Sequence, residues 1–162
     1  NDALRPLPTP ASRARFGLPD KSFIFCCLNN TYKITSEMFS TWMDIIEKCP
    51  GSILLLLNDN KDAVRNLTVS AAHRGFQERV VFSPRRPTTE YVELLSCCDL
   101  FLDTFPYNAH TTGSDAIGRR SSCAYTAAER TRVLLVELDE HRSGACDDLC
   151  THASSTLRSA LA

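Results

Sequence analysis

The chain has 162 residues, 43% of them hydrophobic, with a formal net charge of −1 at pH 7 and a sequence pI near 6.5. That suits one globular domain with a real core and excludes the basic surplus of a generic nucleic-acid binder. No apolar run approaches the ~20 residues needed to cross a membrane; the longest, "SILLLLN" at 52–58, has the length of a strand.

Residues 1–20 carry four prolines and no hydrophobic period, and read as a linker or edge segment. They show no signal peptide, and a start on Asn1 rather than Met fits a piece of a longer protein. "SFIFCCLNN" (22–30) is a short apolar run ending in asparagines and reads as a buried strand. "TSEMFSTWMDIIEKC" (35–49) places Met38, Phe39, Trp42, Ile45 and Ile46 at helical spacing, with Thr35 or Ser36 offering N-cap chemistry and Pro50-Gly51 as the stop. "SILLLLND" is a second strand, apolar throughout as parallel strands covered on both faces are. "DAVRNLTVSAAHRG" (62–75) reads as a helix ending at Gly75, and "RVVFSP" (79–84) as a third strand. "TTEYVELLSCC" (88–98) reads as a third helix with a Thr cap and Glu90 in its first turn, and "DLFLDT" (99–104) as a fourth strand.

Eight cysteines raise the question of disulfides or metal. Cys26-Cys27 and Cys97-Cys98 are adjacent pairs in or beside apolar segments, and Cys49 lies near a helix end. None has C-x-x-C spacing or a secreted framework, so they read as buried free thiols in a reducing cytoplasm, the expected compartment.

The order β-α-β-α-β-α-β predicts an α/β fold, a Rossmann-like doubly wound parallel sheet. Ligands of such sheets sit beyond the carboxyl ends of the strands. Those ends are "NNTYK" (29–33), "NDN" (58–60), "SPRRPTT" (83–89) and "TFPYNAHTTG" (104–113). The Lys33 amine, the Thr111 and Thr112 hydroxyls and the N–H groups of a following helix start would suit a diphosphate, and Asp115 could accept hydrogen bonds from a sugar diol.

Read together, "FGLP…FIFCCLNNTYKIT…FSTWMDIIEKCPGSILLLL…ERVVFSP…EYVELLSCCDLFLDTFPYNAHTTGSDA" resembles the C-terminal catalytic lobe of the O-GlcNAc transferases and Spindly-like enzymes, glycosyltransferase family 41, in its bacterial tetratricopeptide-repeat form. The resemblance covers roughly residues 13–117. It implies a GT-B fold, here incomplete, in which this lobe holds most of the nucleotide-sugar. It implies that Lys33 neutralises the donor diphosphate with Asn30 just before it, that His110, Thr111 and Thr112 meet the phosphates, and that Asp115 holds the ribose. It also implies that no metal or other cofactor is needed, because fixed donors answer the charge that develops on the departing nucleotide.

The base-recognition loop departs from the family pattern. Animal enzymes read Pro-x-Ala-Pro-Lys-x-x-His where this chain has "PRRPTTEY", with Thr88 at the lysine and Tyr91 at the histidine. Tyr91 can stack on a base or simply pack, and Arg85 and Arg86 can attract phosphates; Tyr91 and Arg86 join Asp115 as the expected nucleoside side of the site. The donor stays open between UDP-sugars and GDP-sugars, with UDP-GlcNAc the first expectation.

The resemblance stops after Ile117. From Gly118 onward the chain has no Pro, Phe, Ile, Trp, Lys or Asn, the composition of a GC-rich gene read out of frame. A single T inserted ahead of Gly-Arg-Arg codons restores Trp and permits Ala, as the family has there. Residues 118–162 are therefore expected to be a divergent, out-of-frame tail following a nucleotide-sugar-binding lobe at 21–117. Within the tail, "TRVLLVELDE" has strand character and could complete the sheet. His141, Cys146, Cys150 and His152 offer zinc ligands at non-standard spacing, and read as a chance cluster rather than a metal site.

Two readings of function stay open. In the first, the chain is a fragment of a protein O-glycosyltransferase that binds the donor for transfer to Ser/Thr of a protein acceptor held by regions absent here. It is inactive alone, and its general base is not in this chain. In the second, it is a non-catalytic nucleotide-binding or protein-interaction module of the same fold. Neither reading calls for nucleic acid or membrane.

Overall fold

In the computed structural model the described residues are 12–104 and Tyr107, with the backbone of 121–128 and 131–138. The uninterrupted apolar runs become strands of one parallel sheet: β1 (Ile24–Cys27), β2 (Ile53–Asn58), β3 (Val80–Pro84) and β4 (Leu100–Phe101). Their order is β3-β2-β1-β4, with β1 parallel to both β2 and β4 and β2 parallel to β3. Three helices connect them: α1 (Ser36–Lys48), α2 (Lys61–His73) and α3 (Thr88–Ser96). This is a doubly wound parallel sheet, the fold class read from the sequence.

Because side chains alternate across a strand, a run apolar at every position must be covered on both faces. Phe25, Cys27, Leu54, Leu56, Leu100 and Leu102 join Trp42, Met43, Ile45 and Ile46 of α1 and Ala71 of α2 in one cluster. Ile24, Cys26, Leu28, Ile53, Leu55 and Phe101 join Leu94 and Leu95 of α3 in the other. So α1 and α2 cover one face of the sheet, and α3 covers the opposite one.

The helix ends follow local chemistry. Thr35 caps α1 by accepting from the Met38 N–H at 3.2 Å. Asn60, two residues before the expected start of α2, accepts from the N–H groups of Asp62 and Ala63. Gly75 takes φ +76, and the Gly75 and Phe76 N–H groups close on the carbonyls of Ala72 and Ala71, a Schellman ending. The expected Thr cap of α3 is not observed. Pro87 occupies the N-cap with φ −54, no side chain caps the helix, and Thr88 is already its first residue.

Residues 12–20, read as part of a linker, are built into the lobe. Arg13–Phe16 form a 3-10 turn capped by Ser12, and Leu18 is buried in the α3-side cluster. Arg13 is 7% exposed. Its Nε donates to the Cys97 carbonyl at 2.9 Å, Nη1 to the Ser22 carbonyl at 2.7 Å, and Nη2 to Asp99 Oδ2 at 2.6 Å. The same Asp99 oxygen accepts the Ile24 N–H at 2.7 Å. One guanidinium thus ties the N-terminal segment to the starts of β1 and β4 and the end of α3.

Beyond Gly118 the chain forms β5 (Ser121–Ala128) and β6 (Thr131–Leu138), paired antiparallel from Ser121↔Leu138 to Ala128↔Thr131. The strand expected in "TRVLLVELDE" is present, but it lies in a two-stranded sheet of its own and does not complete the parallel one. So short a connection joins antiparallel partners, whereas a parallel pairing needs a long crossover. The His/Cys cluster at 141–152, read as chance rather than as a metal site, lies outside the described residues. Among the described residues no helix is long and apolar enough to cross a membrane.

Candidate functional site

Ligands of a doubly wound sheet bind in the crevice beyond the carboxyl ends of neighbouring strands whose helices lie on opposite faces. Here α1, which follows β1, covers one face, and α3, which leads into β4, covers the other. The chain leaves β1 through Leu28 and Asn29 into a 3-10 turn, Thr31–Lys33. The Lys33 N–H donates to the Asn30 carbonyl and the Ile34 N–H to the Thr31 carbonyl, each at 3.0 Å. Asp59, just after β2, holds the turn from the side by accepting from the Thr31 N–H at 3.2 Å and the Thr31 hydroxyl at 2.5 Å. The half-buried Lys33 is thereby fixed on a short, braced turn at the crevice.

A buried polar lock joins the two sides. Asn29, 2% exposed, donates through Nδ2 to Asp103 Oδ1 at 3.3 Å and to Thr104 Oγ1 at 3.0 Å. The Thr104 N–H donates to Asp103 Oδ1 at 2.7 Å, and the Thr104 hydroxyl donates to the Tyr107 carbonyl at 2.7 Å. The β1 turn and the segment running from β4 toward His110 are therefore held in one register. Asn29→Ala leaves these buried groups short of partners, and a loss of about 1–3 kcal/mol in stability is expected from urea unfolding.

Cys27 reports the field in the crevice. Burial pushes its thiol up to about 12 and the nearby Asp103 carboxylate pushes the same way, while the Asn29 N–H and the Lys33 ammonium pull it down. Lys33 and Asp103 thus both lie within electrostatic reach of the end of β1. Cys26 is raised through its hydrogen bond with Cys98 and by burial, and Cys49 and Cys97 are raised mainly by burial. Cys26, Cys27, Cys49, Cys97 and Cys98 are all buried thiols outside any disulfide, as expected. A thiol raised in the fold favours the folded state in full below its ordinary value of 9.0, and for Cys27 that contribution is lost as pH rises from 9.0 to about 12. Alkylation of Cys26, Cys27, Cys49, Cys97 and Cys98 by iodoacetamide, followed by peptide mass mapping, is therefore expected to stay slow in the folded chain between pH 7 and 9 and to become fast in denaturant.

The remaining expected residues divide. Asn30 is half-buried at the start of the 3-10 turn, and its Oδ1 accepts from Arg85 Nη2. Arg86 has other commitments: Nε donates to Ser83 Oγ at 3.2 Å, Nη1 pairs with Glu90 at 3.1 Å, and its guanidinium carbon lies 5.1 Å from the centroid of the Phe16 ring. Tyr91 lies on α3, half-buried, with its side chain against the cluster of Leu94 and Leu95. His110, Thr111, Thr112 and Asp115 lie outside the described residues.

Sequence reasoning named the strand ends but passed over Asn29, Asp59, Asp103 and Thr104 individually. The signal was there: in "NNTYK", "NDN" and "DT", polar residues follow directly on apolar strands. What could not be read is which of them face inward to pair across the crevice.

Comparisons with known proteins agree with this architecture. The model of glycosyl transferase family 41 matches residues 7–129, past the Ile117 at which the resemblance read from sequence ends. The chain is 34% identical over 117 residues to the probable UDP-N-acetylglucosamine–peptide N-acetylglucosaminyltransferase SEC of Arabidopsis thaliana, covering 72% of this chain and 12% of that protein. It is 36% identical over 107 residues to the UDP-N-acetylglucosamine–peptide N-acetylglucosaminyltransferase of Caenorhabditis elegans, covering 65% and 9%. The chain thus spans about a tenth of the length of these relatives. A solved point mutant of the Thermobaculum terrenum O-GlcNAc transferase shares the fold, with a TM-score of 0.63 at 19% identity over 88% of this chain and 33% of that one.

Proposed function

Because the chain belongs to glycosyltransferase family 41, we propose that it is part of a protein O-glycosyltransferase, the part that holds the nucleotide-sugar donor. The relatives' names specify UDP-N-acetylglucosamine as donor and a peptide as acceptor; carried to this chain, they make UDP-GlcNAc the donor and a protein Ser/Thr hydroxyl the acceptor. The observation that carries the reading is Lys33, half-buried on the 3-10 turn that follows the carboxyl end of β1 and is braced by Asp59.

The chemistry follows from charge. As the sugar leaves, its bond to the diphosphate breaks and negative charge grows on the phosphate oxygens. A fixed ammonium stabilises that state more than the ground state and needs no reorganisation when the bond breaks. In this reading Asn30, His110, Thr111 and Thr112 complete the phosphate side and Asp115 and Tyr91 the nucleoside side. Lys33 supplies the cation, so the reading calls on no metal. The acceptor and the general base belong to other parts of the protein, and the reduced thiols suit a cytoplasmic setting. The tail beyond Ile117 is proposed to be out of frame.

Calorimetric titration of this chain with UDP and GDP tests the reading, beside a version whose tail is returned to frame by one inserted T at codon 118. UDP is expected to bind more tightly than GDP, and binding by the restored version alone would support the frameshift. If both versions are folded and neither binds a nucleotide, the chain is the non-catalytic module of the second reading.

A further inference from the structure

We propose that Arg85, rather than its neighbour Arg86, is a second phosphate-binding cation of the donor site, carried from the edge of the sheet to the crevice by Asn30 and Asp59. The proposal rests on the donor-binding reading and adds to it a residue on a different strand.

Arg85 follows directly on β3, the outer strand on that side of the sheet. In the order β3-β2-β1, its starting point lies two strand spacings from β1, about 10 Å. Yet its Nη2 donates to Asn30 Oδ1, beyond the end of β1, and lies 3.8 Å from Asp59 Oδ2, beyond the end of β2. The side chain therefore lies across the carboxyl edge of the sheet toward the crevice. It remains 66% exposed, whereas Asp59 is 11% exposed.

Asp59 is engaged first by the Thr31 N–H and hydroxyl, so it acts as a fixed rest under the arginine. Both contacts of Arg85 use Nη2, and its Nη1 and Nε donors have no partner among the described residues. A guanidinium offers five N–H groups in a planar fork that matches phosphate oxygens. Anchored by one nitrogen, Arg85 can present the others to an anion, losing less side-chain freedom than an unanchored arginine would. Asn30, to which it is bonded, lies three residues before Lys33 and opens the same 3-10 turn. Arg86 is differently placed: Ser83, Glu90 and the Phe16 ring occupy it on the α3 side.

The test is titration of the 162-residue chain and its variants with UDP and GDP, with melting curves to check the fold. Arg85→Ala is expected to weaken both nucleotides by the same factor, about tenfold or more for a lost charge-assisted contact, with Arg85→Lys retaining part of the affinity. Arg65→Ala, which removes an exposed charge from α2, is expected to change neither. Unchanged affinity in Arg85→Ala overturns the proposal. So does a loss confined to one nucleotide, which marks a base contact, or a larger loss in Arg86→Ala. If neither the folded, unaltered chain nor the version with its tail returned to frame binds a nucleotide, the donor-binding reading falls and this proposal falls with it. If only the returned version binds, the same variants are read in that version, and binding that is indifferent to Arg85 removes this proposal alone.

Discussion

Arg13→Ala should cost the fold about 3–5 kcal/mol, the expected penalty for breaking a buried ion pair from one side. The variant strands the Asp99 carboxylate, 8% exposed, with the Ile24 N–H as its described remaining hydrogen bond, and leaves the Cys97 and Ser22 carbonyls without their guanidinium donor. A domain of this size has about 5–15 kcal/mol of stability in all, so such a loss would leave a substantial unfolded fraction in mild urea. Trp42 is fully buried, and its fluorescence during urea titration reads the transition directly. The competing expectation is that of a surface pair, worth about 0–1 kcal/mol; Arg15 with Glu93, where the arginine is half-exposed, is the internal comparison. A loss from Arg13→Ala no greater than that from Arg15→Ala would show that the N-terminal turn is attached only loosely. Replacing both partners, Arg13→Met with Asp99→Leu, should cost less than the sum of the single changes, because no charge is then left unpaired.

That staple also marks where sequence reading reached its limit. The strands were legible because each carries consecutive apolar residues, 53–57 most clearly, which a strand covered on both faces tolerates, and Gly75 and Thr35 announced helix ends through chemistry local to them. Arg13 and Asp99 are 86 residues apart, and nothing in "ASRARFG" distinguishes a buried arginine from the solvated Arg15 two positions on. The lock of Asn29, Asp103 and Thr104 was hidden for the same reason. Its members sit at visible strand ends, but their pairing follows from β1 and β4 being neighbours in the sheet, and strand order is not a local property. At the arginine pair, adjacent residues of identical chemistry point to different partners, Arg85 to Asn30 and Arg86 to Glu90. That one-residue difference in direction is set by the backbone of the connection between β3 and α3, which composition does not carry. The α3 cap failed on a smaller scale: Pro87 already has the fixed φ of an N-cap approach, so Thr88 enters the helix instead of capping it.

Lys33→Ala should weaken diphosphate binding by about 1.5–3 kcal/mol, roughly ten- to hundredfold in affinity. The estimate is for one charge-assisted contact in a partly buried position, where water screens it less than at an open surface. The fold should hardly notice: the 3-10 turn is kept by the backbone bonds of Lys33 and Ile34 and by Asp59 on Thr31, none of which uses the lysine side chain. Equal melting curves with unequal affinities are therefore the expected signature, and they separate Lys33→Ala from Asn29→Ala, which should lower both. Lys33→Arg tests position against charge. The longer, planar group keeps the charge but moves it, so partial recovery is expected if the ammonium meets a phosphate as a point charge. Raising salt should reduce the difference between the unaltered chain and Lys33→Ala, since only the lost Coulomb attraction is screened. An affinity for UDP and GDP unchanged by Lys33→Ala would remove the residue from the site and leave the crevice without its proposed central cation.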